Sequence, residues 1–271
     1  MKISFIGGGK RAEMCSKLFA NRSEFEIGGF YCNPIKDCAD IAIATNTCLF
    51  ACIDDLCKAS DVVFVATEDE MLPAVVQTLT KLHIHDKIIV SIARDTYGSD
   101  LDNGYDNTNI VIDSFAPFEQ MNDAEVEQAY IVANGSGSKF DLFVNALLDS
   151  GIKCTPLSKP ELDLFRVACH LMHYGIYAIL NCGKKLCKIA TSSTSFNVMP
   201  LIKNAIKNST AQPGAPYSNG NIRELSETVD ILDNNGIDSV TKLYKAIAEV
   251  VVENAELEKD VADDMLKVLR K

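Results

Sequence analysis

The first half of the chain alternates short apolar runs with stretches in which apolar residues recur at helical spacing. The runs at residues 3–7, 26–31, 61–66 and 87–93 predict β-strands, and the last two are continuous apolar segments of the kind that a parallel sheet buries on both faces. Apolar side chains at positions 12, 15, 18 and 19 predict a helix over residues 11–20. This alternation indicates βαβ units.

The pattern continues to about residue 158 and then changes. Residues 109–115, 129–134 and 152–158 predict three more strands, and Ser138 is placed to cap a helix over 139–151. From Pro160 the period is helical as far as residue 190, and the rest is helical apart from a loop over 208–221. The sequence therefore predicts an α/β fold, with a parallel-sheet domain over 1–157 followed by an all-helical domain over 158–271.

The first strand ends in a glycine cluster that opens the first helix. Its residues fit the pattern G-x-G-x-x-A and are Gly7, Gly8, Gly9, Lys10, Arg11 and Ala12. In a dinucleotide site the first glycine allows the tight turn, the second lets the backbone approach the pyrophosphate, and the small third residue lets the helix pack on the strand. Because the helix N-terminus also presents unpaired N–H groups, this position predicts a Rossmann-type NAD(P) site. The alternative is a glycine turn that holds no ligand.

The end of the second strand bears on which dinucleotide is bound. NAD-preferring sites usually carry Asp or Glu there to bind the ribose hydroxyls, whereas residues 30–34 of this chain contain no acid. Asn33 can bind a phosphate, and Lys10, Arg11 and Lys36 lie nearby in sequence. These residues favour NADP(H) over NAD(H), unless the basic side chains are only solvated surface.

Two further strand ends are expected to border the cofactor. Ligands of open α/β sheets bind at the carboxyl ends of the strands. Ala66 and Thr67 follow one such strand, and the segment 91–94, with Ser91 and Ala93, follows the next. We expect these residues to lie beside the bound dinucleotide.

Three stretches of the chain resemble a known family. The first combines ISFIGGGKRA, from Ile3, with DVVFVATEDEML, from Asp61. The second, SFAPFEQM from Ser114, looks like the family's Leu-His-Pro-Leu-Gln stretch. The third, PYSNGNIRELSETVDIL from Pro216, is similar to its run Leu-Thr-Gly-Pro-Ile-Ala-Arg-Gly-Asp-x-x-Thr-Val, with Arg223 at the arginine.

The family is the DUF2520 group, in which a Rossmann-like domain precedes a helical domain of unknown function. Its relatives are pyrroline-5-carboxylate reductase and ketopantoate reductase. The resemblance covers essentially the whole chain, and it implies a two-domain oxidoreductase that uses NAD(P).

The chain departs from this family at several polar positions. Ala116 stands in place of the family's histidine, and Leu162 stands at the position of its helix lysine. Phe165 and Arg166 replace its Tyr-His pair, and residues 172–174 replace its Ser-Asn-Tyr. A lysine acid of the hydroxyacid-dehydrogenase kind is therefore not implied. A dinucleotide-binding sensor or partner protein that has lost catalysis is an open alternative.

One face of the long helix carries polar side chains at steps of three and four residues. They are Arg166, His170, His173, Tyr177 and Asn181. We expect Arg166 to bind a substrate carboxylate by two bonds, and His170 or His173 to donate the proton that follows hydride transfer. Tyr177 and Asn181 are candidate substrate-binding residues. The alternative is a solvated face whose histidines bond to backbone.

A loop rich in glycine and proline precedes a later helix. Ser218 and Asn219 lie in it, and Arg223 follows it. The resemblance places this segment near the cleft, so these three residues are candidate substrate-binding residues that could close over the substrate. Alternatively, the loop only caps the helix.

Composition and charge narrow the classes of function. The chain has 271 residues, a net charge of −11 and no long basic segment, so we expect neither nucleic acid nor an anionic membrane surface as a partner. Neither a membrane span nor a secretory signal is expected, because no apolar run is long enough and the first strand begins at residue 3. The ten cysteines and four histidines lack zinc-site spacing. We therefore expect free thiols in a reducing cytoplasm and no metal site.

Together these observations predict a cytoplasmic, NADPH-dependent reductase of a small carboxylate-bearing carbonyl compound. The resemblance makes 2-dehydropantoate (ketopantoate) the leading substrate and pyrroline-5-carboxylate the second, and fold-level analogy does not choose between them. Long apolar helix faces in the second domain, as over residues 239–252, predict a homodimer, although the same faces can pack within one chain.

Overall fold

The computed structural model of the protein describes residues 1–94, 96–191, 197–207, 214 and 216–270. The chain divides into two compact units, Met1–His170 and Leu171–Lys271. Each unit has a hydrophobic core of its own. The division falls inside one long helix, so that helix contributes residues to both units.

The first unit is built around an eight-stranded sheet. Its strands are β1 (Lys2–Ile6), β2 (Glu26–Tyr31), β3 (Cys48–Leu49), β4 (Val62–Val65), β5 (Ile88–Ser91), β6 (Thr108–Ser114), β7 (Tyr130–Ser136) and β8 (Lys153–Pro156). In space they follow the order β3-β2-β1-β4-β5-β6-β7-β8. The direction of winding reverses between β1 and β4, which is the switch point at which open α/β sheets bind ligands.

Helices connect the strands and build the second unit. Those of the first unit are α1 (Lys10–Phe19), α2 (Ala39–Ala44), α3 (Ile53–Lys58), α4 (Leu72–Lys81), α5 (Asp123–Glu127) and α6 (Phe140–Asp149). The long helix is α7 (Lys159–Thr191), and the second unit adds α8 (Met199–Lys207), α9 (Ile222–Asn234), α10 (Asp238–Asn254) and α11 (Lys259–Leu269). The predicted α/β domain followed by a helical region is confirmed.

The sheet is parallel except at one pairing, and β7 and β8, which are parallel to each other, both run opposite to the other strands. β1 pairs in parallel with β2 and β4, β4 with β5, and β5 with β6. β7 runs antiparallel to β6, a pairing that the predicted parallel-sheet domain did not specify. A parallel neighbour needs a full crossover, but the chain between β6 and β7 forms only α5 and a short 3-10 helix, so it turns back.

The strands next to the switch point are buried on both faces of the sheet, and side-chain packing holds them in place. Every residue of β4 and β5 is buried, as their continuous apolar runs predict. Phe5 of β1 stacks on Phe30 of β2 with 5.2 Å between ring centroids, and it contacts Phe64 of β4 at 5.1 Å. Burying one such ring stabilises the fold by about 2 kcal/mol. The rings hold β1 between its neighbours and thereby hold the turn that follows it.

Two local features differ from the pattern in the sequence. Ser138 does not cap α6; Lys139 is the N-cap residue, and its backbone N–H donates to Thr108 Oγ1 at 2.9 Å. The pattern also gave no sign of α2, α3 or β3. α2 and α3 have six residues each, which is too few to establish a helical period.

The second unit packs α9, α10 and α11 around a core that includes Leu225, Ala248 and Met265. A smaller cluster joins Leu232 to Leu186 of α7. Part of the loop predicted over 208–221 lies outside the described residues. Among the helices that the structure describes, none has the length and apolar character needed to cross a bilayer.

Candidate functional site

The turn between β1 and α1 is tied to the two neighbouring strands. The Gly7 N–H donates to the Tyr31 carbonyl at 2.8 Å, at the end of β2. Gly7 has φ +122°, and a Cβ atom on it would lie 2.5 Å from the Ala66 carbonyl oxygen, just beyond β4. Only glycine meets both conditions. The predicted tight-turn role of Gly7 therefore has a direct geometric basis.

The next two glycines differ in what surrounds them. A Cβ on Gly8 would overlap the Sγ atoms of Cys32 and Cys38, so the chain packs tightly there. A Cβ on Gly9 would meet nothing within 4 Å. Gly9 is also the N-cap residue of α1 and supplies no side-chain acceptor. The first N–H groups of α1 therefore face an open space suited to an anion.

A cavity of about 740 Å³ lies in front of this turn. The predicted cofactor residues that line it are Gly7, Gly8, Gly9, Lys10, Arg11, Asn33, Ala66 and Thr67. Ala12 is fully buried behind the turn, where its small side chain lets α1 pack on the sheet. Ser91 and Ala93 are buried as well, and the Ala93 N–H donates to Ser91 Oγ at 3.0 Å, so the described structure gives them a local structural contact and no place in the cavity lining.

Thr67 brings an unsatisfied polar atom to the cavity. Its Oγ1 is buried and has no hydrogen-bond partner among the described residues. The residue follows β4 and lines the cavity. A buried hydroxyl without a partner costs about 1–3 kcal/mol, and a ligand that bonds to it removes that cost.

Arg11 is held by acids rather than left free for a phosphate. Its Nη1 donates to Asp69 Oδ1 at 2.5 Å and to the Thr67 carbonyl at 2.9 Å, and its Nε lies 3.4 Å from Glu119 Oε2. Burial alone would lower the pKa of Arg11, but these two carboxylates raise it above its usual value. Nε and Nη1 are thus engaged by protein groups, while Arg11 still lines the cavity, so its phosphate-binding role stays a prediction. Asp69 and Glu119 lie far from Arg11 in sequence, so no local pattern could reveal them.

Two cysteines beside the cavity are paired. Cys32, which follows β2 and lines the cavity, forms a disulfide with Cys38, and their Cα atoms are 5.9 Å apart. The expectation that all ten cysteines are free thiols is therefore wrong for this pair, while the other eight are unpaired. The residues between them include Asn33 and Asp37, and both line the cavity. A carboxylate that the sequence did not single out thus faces the cavity together with Asn33.

A second, smaller pocket lies at the ends of β5 and β6. Its lining residues are Arg94, Asp113, Ser114, Arg166, Cys169 and His170, all within the first unit. Arg166 Nε donates to Asp113 Oδ2 at 3.1 Å, and Arg166 Nη2 donates to the Thr96 carbonyl at 2.8 Å. Both side chains of the ion pair are largely buried, with 10% and 15% of their surface exposed. Arg166 Nη1 has no partner among the described residues.

This arrangement changes the expectation for Arg166. Two of its three nitrogens are already bonded, so a two-bond clamp on a carboxylate is not available, and one nitrogen remains for a ligand. Asp113 was missed in the sequence because it directly follows the apolar residues 110–112 of the same strand. A polar residue at the carboxyl end of a parallel strand is the signal that could have found it.

Cys169 and Tyr97 complete the surroundings of this pocket. Burial, and then the Asp113 carboxylate, raise the pKa of the Cys169 thiol, which keeps it neutral at pH 7. Tyr97 donates a hydrogen bond to Asp163, which raises the tyrosine's pKa, and its ring lies 5.2 Å from the Arg166 guanidinium carbon. The ring thereby helps to fix the orientation of Arg166.

The remaining predicted substrate residues belong to the second unit. His173, Tyr177 and Asn181 are exposed on α7. Ser218 and Asn219 are exposed before α9, where Asn219 Oδ1 accepts the Asn221 N–H at 3.3 Å.

Arg223 pairs with Glu227 one helical turn away, at 2.8 Å. The side chain of Arg223 is 87% exposed in this pair. Within the residues that the structure describes, no three His, Cys, Asp or Glu side chains come together as a metal site.

Comparison with known proteins shows the fold. No model of a protein family matches the sequence, and no curated protein matches it. A candidate NADP oxidoreductase from Bacteroides fragilis has a similar structure, with a TM-score of 0.75 at 15% identity over 93% of this chain and 97% of that one. Pyrroline-5-carboxylate reductase from Streptococcus pyogenes gives a TM-score of 0.59 at 18% identity, covering 100% and 97% of the two chains.

A third structure carries both a cofactor and a carbonyl compound. The reductive aminase from Aspergillus terreus, in complex with NADPH and ethyl-5-oxohexanoate, gives a TM-score of 0.60 at 14% identity. The match covers 99% of this chain and 92% of that one. At such identities the likeness establishes a shared architecture, a Rossmann-type sheet domain followed by helices.

Proposed function

We propose that this chain is an NADPH-dependent reductase of a small carboxylate-bearing carbonyl compound. The observation that carries the proposal is the cavity at the switch point of the sheet. There Gly9 leaves the N-terminus of α1 open, and the buried Thr67 hydroxyl lacks a partner. An open helix N-terminus can bind the pyrophosphate of a dinucleotide, and a free hydroxyl can bond to another polar group of it. The similar structures are described as an NADP oxidoreductase, a pyrroline-5-carboxylate reductase and a reductive aminase, which fits the same class of reaction.

The residues present fit a nicotinamide dinucleotide. The turn at Gly7 and the backbone of Gly9 would hold the pyrophosphate. Because Gly9 has no side chain, the space in front of the helix N-terminus stays open for this group. The Thr67 hydroxyl would donate to or accept from the nicotinamide half. When bound, NADPH supplies the hydride for reduction of a carbonyl or imine carbon.

Selectivity for the phosphorylated dinucleotide remains part of the proposal. Asn33 and Lys10 line the cavity, and the Lys10 side chain is 52% exposed beside Glu13, so it can move to a phosphate. Asp37 lines the same cavity and opposes a phosphate by its charge. The preference for NADPH over NADH therefore rests first on Asn33 and Lys10, because protein groups engage two of the three Arg11 nitrogens.

The proton and substrate roles are assigned to the smaller pocket. His170 lines it beside Arg166, and we assign to this imidazole the proton that the carbonyl oxygen takes up on reduction. His173 is the second candidate donor, in the second unit. The substrate-binding roles of Tyr177, Asn181, Ser218, Asn219 and Arg223 remain proposals.

The leading substrate is 2-dehydropantoate, which rests on the resemblance to the DUF2520 family and ketopantoate reductase. Reduction of the imine pyrroline-5-carboxylate is the alternative, and the likeness to the Streptococcus pyogenes enzyme favours it about as well. Purified protein is mixed with NADPH and each compound separately, and the loss of NADPH is followed. Turnover with one compound identifies the reaction, and turnover with neither removes both substrates.

A non-catalytic sensor of NADP(H) is a candidate from another class. The observation in its favour is that Ala116 and Leu162 stand where the resembled family has histidine and lysine. A sensor would bind NADPH and oxidise none of it with any carbonyl or imine compound. Saturable binding without turnover over a wide carbonyl panel would therefore favour this function.

We also propose that the protein is a homodimer and acts in the cytoplasm. Within the fully described helix α7, only Leu162 and Arg166 are buried, while Leu164, Leu171 and Tyr177 are each about two-thirds or more exposed. Apolar surface of this kind marks a protein interface. Eight of the ten cysteines are unpaired, as expected in a reducing compartment, and the Cys32–Cys38 disulfide is the exception. Light scattering coupled to size exclusion gives the mass, and a monomer's mass would contradict the dimer.

A further inference from the structure

We propose that Arg94 and Arg166 together form a subsite for one carboxylate group of the substrate. The proposal rests on the proposed function, because it names the group by which that reductase would hold its substrate. Arg94 follows β5, and Arg166 lies on α7 against the end of β6. Both line the same small pocket at the carboxyl edge of the sheet.

Arg166 is oriented by the protein before any ligand arrives. Asp113 Oδ2 accepts from Nε at 3.1 Å, the Thr96 carbonyl accepts from Nη2 at 2.8 Å, and the Tyr97 ring lies near the guanidinium. Since the guanidinium is planar, these bonds also fix the directions in which Nη1 can donate. The side chain is therefore rigid and presents one defined donor.

That donor is the feature that requires a partner. Arg166 is 91% buried, which follows from its 9% exposure, and Nη1 bonds to nothing among the described residues. Leaving a charged donor buried without an acceptor costs more than the 1–3 kcal/mol of a neutral group. An incoming oxygen atom would satisfy it, and a carboxylate forms the stronger, charge-assisted bond.

Arg94 supplies a second positive charge to the pocket. It is half-buried, and the described residues offer it neither an ion pair nor a hydrogen bond. Among the described lining residues Asp113 is the one acid, so two guanidinium groups face one carboxylate there. These three described side chains together carry one uncompensated positive charge. A single negative charge balances it, which favours a monocarboxylate over a phosphate dianion.

The position of the pocket suits a group close to the reacting carbon. β4, which leads to Thr67 in the cofactor cavity, neighbours β5, and β5 neighbours β6. Adjacent strands are about 5 Å apart, so the pocket begins within one or two strand spacings of the cavity. The pocket therefore lies near enough to the cavity for the carboxylate of a short carbonyl acid to reach it. A compound whose charge lies many bonds from the carbonyl fits the arrangement less well.

The test compares a carboxylate with its neutral counterpart. Isothermal titration calorimetry measures the binding of pyruvate and of methyl pyruvate to the full chain, with and without NADP⁺. We expect the wild type to bind pyruvate at least tenfold more tightly than the ester, and Arg94→Gln to lose most of that preference. Arg166→Lys keeps the charge but loses the fixed Nη1, and it too should lose about tenfold in pyruvate affinity.

The matched control is Arg270→Gln, which removes an exposed arginine from the second unit. It should leave the acid-to-ester ratio unchanged. A ratio near one in the wild type, or a ratio that Arg94→Gln leaves intact, would overturn the subsite.

NADPH binding and consumption are measured on the same samples. If NADPH is neither bound nor consumed while the ratio still depends on Arg94, the subsite holds and the reductase function fails. If NADPH is consumed but the ratio of acid to ester affinity does not depend on Arg94, the reductase function holds and the subsite fails.

Discussion

A Cβ atom on Gly7 would lie 2.5 Å from the carbonyl oxygen of Ala66. The chain leaving β1 thus passes so close to the end of β4 that any side chain larger than hydrogen must displace backbone. Gly7→Ala adds this overlap to the cost of a left-handed φ of +122°, and should lower the free energy of unfolding by about 2 kcal/mol or more. Chemical denaturation measures the loss, and an unfolding midpoint equal to that of the wild type would refute this account of the turn.

Gly9→Ala should leave stability nearly unchanged and instead weaken cofactor binding. A Cβ there meets nothing within 4 Å and the residue already has φ −76°, so the stability should change by less than about 1 kcal/mol. The methyl group would instead occupy the space in front of α1. NADPH affinity, followed by the fluorescence of the nicotinamide, should fall at least tenfold. Undiminished affinity would show that the pyrophosphate does not bind at Gly9.

Thr67→Val removes the unpartnered hydroxyl from the cavity. Because that hydroxyl bonds to nothing in the described structure, the folded protein should become no less stable, while NADPH binding should weaken about fivefold to tenfold. Thr80→Val is the matched control. The Thr80 hydroxyl donates to the Val76 carbonyl at an exposed position of α4. Equal affinities for all three proteins would assign Thr67 no contact with the cofactor.

Arg11 should matter for stability more than for cofactor choice. Its guanidinium ties α1 to Asp69 and Glu119, so Arg11→Gln should cost about 2 kcal/mol of folding free energy and leave the ratio of NADPH to NADH affinity nearly unchanged. Lys10→Gln, at an exposed position, should lower that ratio severalfold without a loss of stability. If Arg11→Gln shifts the ratio more than Lys10→Gln does, the assignment of the two bases is reversed.

Reduction of the disulfide between Cys32 and Cys38 should destabilise the first unit. The two cysteines are six residues apart in sequence, so the bond closes a short loop. By lowering the entropy of the unfolded chain, a loop of this size stabilises the folded state by about 2 kcal/mol. Urea denaturation with and without dithiothreitol measures the difference. Cys38→Ser is the control, and dithiothreitol should change its urea denaturation curve little. Identical curves for the oxidised and reduced wild type would contradict the pairing.

Features set by neighbours in sequence could be predicted, and those set by distant partners could not. The glycine turn, β2 and the continuous apolar strands β4 and β5 follow from local pattern, and the structure has them within a residue or two. The role of Arg11 depends on Asp69, 58 residues away, and the state of Arg166 depends on Asp113, 53 residues away. Residue type alone suggested that both arginines are free to bind anions, whereas tertiary contacts engage two of the three nitrogens of each.

The antiparallel pairing of β7 and the disulfide also depend on contacts that a local pattern does not contain. Nothing in the apolar run of β7 reveals its direction, which depends on the short connection from β6. Cys32 and Cys38 come together because the chain turns sharply after β2, in a segment with no period to analyse.

The most direct test of the central claim is a titration of the purified protein with NADPH and, separately, NADH, followed by nicotinamide fluorescence. We expect saturable binding of NADPH at one site per chain, weaker binding of NADH, and at least tenfold weaker binding of both in Gly9→Ala. Absence of saturable binding for either dinucleotide, or binding that Gly9→Ala leaves intact, would contradict the central claim.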